Sequence, residues 1–301
     1  MKRILAILTV VLLMTGCGKE RHHDFWDSEY GDSKVGYFAF SLGWDEADDA
    51  LSPIDNVHIT VVGKDGEVIK QFAYTSPEDA ADQLQQFPEG SYKLLVTVDM
   101  AEKDGYIVSQ ASTSQGGALP DTKVSLSNPS SSPHQAWYGV IDAKIKGDEI
   151  TIVKFDLKRL MPTISIVVSD VPDGVSMQAT ITNAAQYVNL ANSTCSTETI
   201  DGVSLGQLAS DPSAPGTLRI DDRTIMPTAN GQERAIITIA TTRNGVTSYS
   251  TVDAPIMEQG RHYVLNIKYD DITEYIHISG TDVNAWQQDW TVDGEILNPD
   301  N

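Results

Sequence analysis

Downstream of residue 34 the chain is dominated by segments in which hydrophobic and polar residues alternate. In Ser91–Val98 every second residue from Tyr92 onward is hydrophobic, and the same period of two recurs in Thr163–Ser169 and His262–Tyr269. Successive side chains of a strand point to opposite faces, so this pattern predicts strands with one buried face. Five more hydrophobic segments are predicted strands: Val35–Leu42, Val57–Val62, Ile150–Leu157, Ala235–Thr241 and Tyr275–Ser279.

The segments between these strands are rich in turn-forming residues. Asp65-Gly66, Asn244-Gly245 and Asp293-Gly294 are typical of tight turns between antiparallel strands. One short helix is predicted at Pro77–Gln86, with Ser76 as its N-cap. Two long stretches rich in Ser, Pro and Gly, Ser109–Pro133 and Thr197–Gly216, are predicted loops.

Many short antiparallel strands with little helix predict an all-β protein built from β-sandwiches. A chain of 301 residues fits two sandwiches better than one. We place their boundary after Lys158, because Pro162 interrupts the chain before the next strand. The predicted domains are residues 35–158 and 159–301.

The N-terminus has the pattern of an export signal. Lys2 and Arg3 precede the hydrophobic segment Ile4–Met14, which is too short to span a bilayer and runs into Thr15-Gly16-Cys17. Small residues followed by cysteine resemble the lipobox of bacterial lipoproteins. This predicts a signal peptide at residues 1–16 and a lipid on Cys17, which would hold the protein to a membrane. The alternative is an ordinary secretory signal with a chance cysteine.

The charge of the chain and its cysteine count limit the possible binding partners and covalent links. Residues 17–34 are polar and are predicted to form a flexible tether after the lipid. The formal net charge of −21 argues against nucleic acid as a partner and against electrostatic attraction to an anionic leaflet. With Cys17 assigned to lipid, Cys195 has no intrachain disulfide partner, and a buried, small hydrophobic side chain is favoured over a reactive thiol.

Few residues form a recognisable catalytic or metal-binding pattern. Gly202-Val203-Ser204-Leu205-Gly206 matches a nucleophile-elbow pattern, which requires a strand before it and a helix after it, so a chance match is favoured in an all-β chain. Adjacent His22 and His23, and the acidic segment Asp45–Asp49, could bind a metal but lack a complete ligand set. We therefore predict no catalytic residue, no metal site and no cofactor.

Aromatic and histidine side chains are the remaining candidates for binding, and the tryptophans leave glycan binding open as a second function. Tryptophans can stack on sugars, and the chain has five: Trp26, Trp44, Trp137, Trp286 and Trp290. The last two lie near the terminal strand, where packing is the more plausible role. The remaining histidines are scattered among predicted strands and loops, where surface or core-edge positions are favoured: His58, His134, His262 and His277.

Several segments in a fixed order resemble the fimbrillin superfamily of Bacteroidetes-type fimbriae, specifically its anchor and accessory lipoproteins. The order begins with the lipobox at Cys17 and includes the hairpin at Asp65-Gly66. The other matching segments are Val35–Phe40, Ile54–Val61, Phe87–Leu94, Phe155–Leu160, Gln259–Leu265 and Trp286–Trp290. The resemblance implies two transthyretin-like sandwiches and a non-catalytic role on the outer membrane, in contact with other fimbrial subunits through strand addition.

The resemblance also implies a distinction between subunit types. Stalk subunits of this superfamily are cut after an arginine, which removes the first strand and opens a groove for the next subunit. Here Arg21 lies in the tether and the next arginine is Arg159, at the predicted domain boundary. This favours an anchor or accessory subunit that keeps its first strand. The alternative function is a glycan-binding lipoprotein that uses Trp44 or Trp137 and the acidic segment.

Overall fold

The computed structural model describes residues 34–43, 54–111 and 118–272, together with the backbone of 275–277. Almost all regular structure is β. The described part of the first half contains ten strands: β1 (Val35–Gly43), β2 (Val57–Val62), β3 (Val68–Tyr74), β4 (Gln85–Pro88), β5 (Gly90–Val98), β6 (Tyr106–Gln110), β7 (Thr122–Leu126), β8 (Trp137–Ile145), β9 (Ile150–Asp156) and β10 (Lys158–Arg159).

The second half continues this pattern and has the shorter strands. Its strands are β11 (Thr163–Ser169), β12 (Val175–Thr182), β13 (Ala184–Ala185), β14 (Val188–Asn189), β15 (Thr194–Cys195), β16 (Thr199–Ile200), β17 (Val203–Gln207), β18 (Ala209–Ser210), β19 (Leu218–Thr224), β20 (Ala235–Arg243), β21 (Val246–Ala254), β22 (His262–Lys268) and β23 (Tyr275–His277). The described residues also form two short 3₁₀ helices, Glu102–Asp104 and Tyr269–Asp271.

The helix α1 spans Pro77–Ala81, with the Ser76 side chain accepting a hydrogen bond from the Asp79 N–H. The predicted N-cap is therefore confirmed. The predicted C-terminal end is wrong, because Gln85 and Gln86 belong to β4, which pairs with β1. No helix within the described ranges is long and apolar enough to cross a membrane.

Each half contains two sheets packed around a hydrophobic core. Sheet 1 has the strand order β4-β1-β9 and sheet 2 the order β10-β8-β5-β2-β3. In the second half, sheet 3 has the order β18-β19-β11-β22 and sheet 4 the order β17-β12-β20-β21-β23. The predicted all-β sandwich class is confirmed, whereas the division into two domains at residue 158 stays a prediction.

The two halves repeat one topology. In each, the first strand lies between an antiparallel neighbour and the last long strand, which runs parallel to it: β1 between β4 and β9, and β11 between β19 and β22. The larger sheets also correspond, since β3-β2-β5-β8 matches β17-β12-β20-β21 strand for strand. Most pairs are antiparallel, as predicted, and β1–β9, β11–β22 and β21–β23 are parallel.

A fifth sheet, with order β15-β14-β7-β6, joins the halves because β7 pairs with β14. Its β7 lies within Ser109–Pro133, and β17 lies within Thr197–Gly216, so the prediction that these two stretches are entirely loop is wrong. The Tyr138 hydroxyl oxygen lies 2.9 Å from Ser193 Oγ and 2.9 Å from Gln259 Oε1. One hydrophobic cluster also contains buried residues of both halves, so contacts between the halves are both polar and apolar.

Candidate functional site: the first strand and its surroundings

Strand β1 occupies the middle of sheet 1 and forms hydrogen bonds along both of its edges. It pairs with β4 from Val35 to Phe38 and with β9 from Tyr37 to Gly43. The Tyr37 N–H donates to the Glu149 carbonyl over 2.9 Å, and the Leu157 N–H donates to the Gly43 carbonyl over 2.7 Å. Removing β1 would leave both neighbouring strands with unpaired backbone groups.

The inward side chains of β1 form the centre of the first core. Phe38 is fully buried, with its ring centroid 5.3 Å from that of Phe87 and 5.7 Å from that of Tyr92. Phe40 is also buried and contacts Phe155 and Phe72. Burying each phenylalanine contributes roughly 2–3 kcal/mol. The strand is thus an integral part of the first sandwich.

Gly36 allows β1 to approach the β8–β9 turn closely. A Cβ atom at this position would lie 2.2 Å from the Lys146 carbonyl oxygen and 2.7 Å from a methyl carbon of Ile145. Both distances are far below van der Waals contact, and one of the two neighbours is backbone. A side chain here would require the strand or the turn to move.

Arg159, the arginine of the fimbrillin-like segment, lies in β10 and is 5% exposed. Its guanidinium carbon is 5.8 Å from the centroid of the Trp137 ring, within the range of a cation–π contact. A protease needs an extended, accessible segment of chain, and a buried strand does not offer one. The sequence has no arginine between Arg21 and Arg159.

Trp137 cannot serve as a sugar platform in this structure. It is 5% exposed and packs in the core of the first sandwich, because β8 turns this side chain inward next to Val98 of β5. The glycan-binding alternative therefore loses one of its two named rings. Trp44 and the acidic segment 45–49 lie outside the described residues, as do Trp26, Trp286 and Trp290.

The nucleophile-elbow pattern is not an elbow. Ser204 lies within strand β17, and its N–H donates to Ser130 Oγ over 3.1 Å. Ser204→Ala is expected to leave the melting temperature within about 1 °C, because the side chain is exposed on an edge strand. A fluorophosphonate probe should label neither protein. Labelling that disappears in the Ser204→Ala variant would establish a reactive serine and contradict the interpretation.

The structure brings together a threonine, a histidine and an aspartate that sequence reasoning did not connect. His262 Nδ1 lies 2.8 Å from Thr163 Oγ1 and 3.6 Å from an Asp222 carboxylate oxygen. A catalytic relay needs its nucleophile and its orienting acid on opposite ring nitrogens. Both oxygens here approach the same nitrogen, so the group links β11, β19 and β22 without the geometry for catalysis.

A cleft of about 320 Å³ lies between the halves, with Asp99, Arg159 and Asp222 among its lining residues. Burial raises the pKa of the Asp99 carboxyl, which accepts a hydrogen bond from the Asp55 N–H.

Burial also raises the pKa of the Cys195 thiol, which fits the predicted unreactive role. Among the described residues, no group of three or more His, Cys, Asp or Glu side chains could hold a metal ion.

Three predicted features of the N-terminal region cannot be placed. Cys17, Arg21 and the adjacent histidines His22 and His23 lie outside the described residues. The lipid on Cys17 and the tether at 17–34 therefore stay predictions. Of the other histidines, His58 and His134 are exposed, as expected for surface positions.

No family model matches the sequence, and no curated protein matches it. Several solved structures do match the chain. One, described as a polysaccharide-binding candidate from Bacteroides thetaiotaomicron, is 13% identical with a TM-score of 0.54, over 89% of this chain and 99% of that chain. A candidate adhesin from the same species is 13% identical with a TM-score of 0.50, over 71% of this chain and 79% of that chain.

A third similar structure is the fimbrial anchor protein Mfa2 from Porphyromonas gingivalis. It is 12% identical with a TM-score of 0.47, over 69% of this chain and 77% of that chain. Identities this low establish a shared fold and no more. The chain therefore shares its fold with the candidate adhesin and the polysaccharide-binding candidate from Bacteroides thetaiotaomicron.

Proposed function

We propose that this chain is a non-catalytic surface lipoprotein that acts as an anchor or accessory subunit of fimbriae. The observation that carries the proposal is the position of β1, which fills the middle of sheet 1 with both edges paired. A subunit whose own first strand occupies this groove cannot accept a strand from another subunit there. It would therefore sit at an end of a polymer and would not form the stalk.

The arginine positions support retention of β1. Cleavage after Arg21 would remove the lipid and leave Lys34 and the whole of β1 attached. Cleavage after Arg159 would require β10 to leave sheet 2 and expose a buried side chain. Neither event frees β1 from the first sandwich. The similarity to a Bacteroides candidate adhesin agrees with a surface role.

Contact with fimbrial subunits would use strand addition at a sheet edge. Strand addition forms main-chain hydrogen bonds at an unpaired sheet edge, and pockets for alternate side chains give it specificity. Glycan binding is the second candidate and is less favoured, since Trp137 is buried and the other named ring, Trp44, is not described.

N-terminal sequencing of protein from surface fimbriae tests this proposal. We expect a mature chain that begins at Cys17 and carries lipid, because the lipobox directs cleavage before that residue. Cys17→Ser should move the protein out of the membrane fraction or leave an unprocessed precursor. A mature form that begins beyond Leu42, with ladders of self-polymer on gels, would identify a stalk subunit and overturn the assignment.

Copurification separates the two candidate functions. Fimbrial subunits that copurify with the membrane-bound protein would support the fimbrial role. Retention on immobilised surface glycan, without any fimbrial subunit in the purified material, would favour the glycan-binding lipoprotein instead.

A further inference from the structure

The outer face of sheet 4 is open to solvent. On its inner face, Met177 of β12, Ile239 of β20 and Val252 of β21 are fully buried. Successive side chains of a strand point to opposite faces, so the residues that alternate with these three point outward. All of those outward residues are half-buried or exposed. The described chain therefore leaves this face uncovered, as a flat surface of three adjacent long strands that a ligand can reach.

One row of side chains crosses the middle of this face. Tyr249 of β21 lies opposite Ala240 of β20, which in turn lies opposite Gln178 of β12. The Tyr249 side chain is 68% exposed. Two interstrand spacings separate the backbones of Tyr249 and Gln178, a distance of about 10 Å. The row therefore has an aromatic ring at one end, an amide at the other and only the small Ala240 side chain between them.

Hydroxyl groups line both sides of this middle row. The two flanking rows are Ser176, Thr242 and Thr247 on one side, and Thr180, Thr238 and Thr251 on the other. The Oγ1 atoms of Thr242 and Thr247 lie 2.8 Å apart, so side chains of neighbouring strands meet on this face. A hydroxyl both donates and accepts hydrogen bonds, as does the Gln178 amide. The face therefore offers uncharged donors and acceptors around a single ring.

The three rows carry no charged residue, although 21% of the chain is Asp, Glu, Lys or Arg. The corresponding face of sheet 2 does carry charges: Lys93 Nζ lies 2.7 Å from an Asp142 carboxylate oxygen, and Lys144 is exposed beside them. Because the two halves share one topology, the fold itself does not require an uncharged face. A face without cations, in a chain of formal net charge −21, argues against an anionic ligand.

A neutral sugar has the chemistry that matches this face. One side of a sugar ring presents C–H groups, which the negative face of an aromatic ring attracts. Its hydroxyls donate and accept hydrogen bonds, as the threonines and Gln178 do. A protein partner fits less well, because the centre of a protein interface is enriched in aromatic residues, Met and Arg and depleted in Ser and Ala. Within the three rows, Tyr249 is the only large apolar side chain.

We propose that the outer face of sheet 4 binds a neutral glycan. One sugar stacks on the Tyr249 ring, and the next lies over Ala240 within reach of the Gln178 amide. Thr238 and Thr242, on either side of Ala240, bond to the sugar hydroxyls. The proposal is independent of the fimbrial role, since it rests on sheet 4 alone, and it is compatible with a position at the end of a fimbria.

An array of immobilised glycans tests the proposal. The full chain, extracted in mild detergent, is applied to neutral glucans, mannans, galactans and xylans, and to polygalacturonate and heparin as acidic glycans. We expect wild type to bind at least one neutral glycan and neither acidic one. Tyr249→Ala should weaken this binding at least tenfold, because the stacking surface is lost. Tyr249→Phe should keep at least half of the wild-type affinity, because the ring remains.

Val246→Ala provides the matched control. Val246 lies in the same strand and is 72% exposed, but it stands an odd number of residues from Tyr249 and so points to the opposite side of the sheet. Its truncation should leave glycan binding unchanged. The melting temperature of each variant is measured first to show that the protein is folded.

Three outcomes would overturn the glycan site: no binding to any neutral glycan, stronger binding to the acidic glycans, or equal binding by wild type and Tyr249→Ala. A fimbrial protein that binds wild type but not Tyr249→Ala, in the absence of glycan binding, would assign the face to a protein partner instead. The array contains no fimbrial subunit, so a failure there leaves the proposed anchor or accessory role to its own tests.

Discussion

Gly36→Ala is expected to lower the free energy of unfolding by about 3 kcal/mol, the upper part of the usual range for overpacking. The added Cβ would lie 2.2 Å from the Lys146 carbonyl oxygen, so β1 or the β8–β9 turn must shift. A shift of β1 would also disturb Phe38 and its ring contacts. Urea unfolding followed by far-UV circular dichroism measures the loss.

Gly43→Ala is the matched control because it makes the same change in the same strand. Among the described residues, a Cβ at Gly43 would meet only the Phe155 carbonyl oxygen, at an ordinary contact distance of 3.6 Å. Its unfolding free energy should stay within about 0.5 kcal/mol of wild type. Equal effects of the two substitutions would show that close packing at Gly36 is unimportant and would weaken the case for a tightly held first strand.

Separate expression of residues 34–160 and 161–277 is expected to give halves that do not fold stably. One continuous core contains buried residues from both halves, and the first half contributes Val62, Leu95, Met100, Tyr106, Leu119, Val124, Leu126, Ala136, Tyr138 and Leu160. Cutting the chain would expose this apolar surface at about 25 cal/mol per Å² and would break the β7–β14 pairing. Circular dichroism and binding of a hydrophobic dye to each half measure the outcome.

Native-state hydrogen exchange on the full chain gives an independent measurement. If the halves unfold together, the slowest amides of β5 and β20 should exchange with the same free energy of opening. Two clearly different values, or two separately folded fragments, would show that the halves are independent domains. The predicted boundary near Lys158 would then mark a true limit between folding units.

Much of the secondary structure could be predicted from local patterns. The alternation in Ser91–Val98, Thr163–Ser169 and His262–Tyr269 gives β5, β11 and β22 within one or two residues, because a half-buried strand imposes a period of two. The Ser76 cap was also predicted, since capping depends on residues three apart. The Gln85–Gln86 error arose because pairing with β1, a strand distant in the sequence, overrides a weak helical tendency.

The candidate site could be predicted only in part. That β1 is a strand, and that no arginine lies between it and residue 159, follow from the sequence alone. The parallel partner β9, the burial of Arg159 and the inward direction of Trp137 do not. Each of these depends on residues that are far apart in the chain, and no local pattern reports such a contact.

The sequence by itself therefore determined the β class of the chain, its acidic character and the lipobox-like segment at Cys17. Only the tertiary structure decided that β1 fills the middle of a sheet, that the halves repeat one topology and that β9 lies at an edge. The reason is physical: periodicity and charge are properties of neighbouring residues, whereas pairing partners and burial are fixed when distant segments pack together.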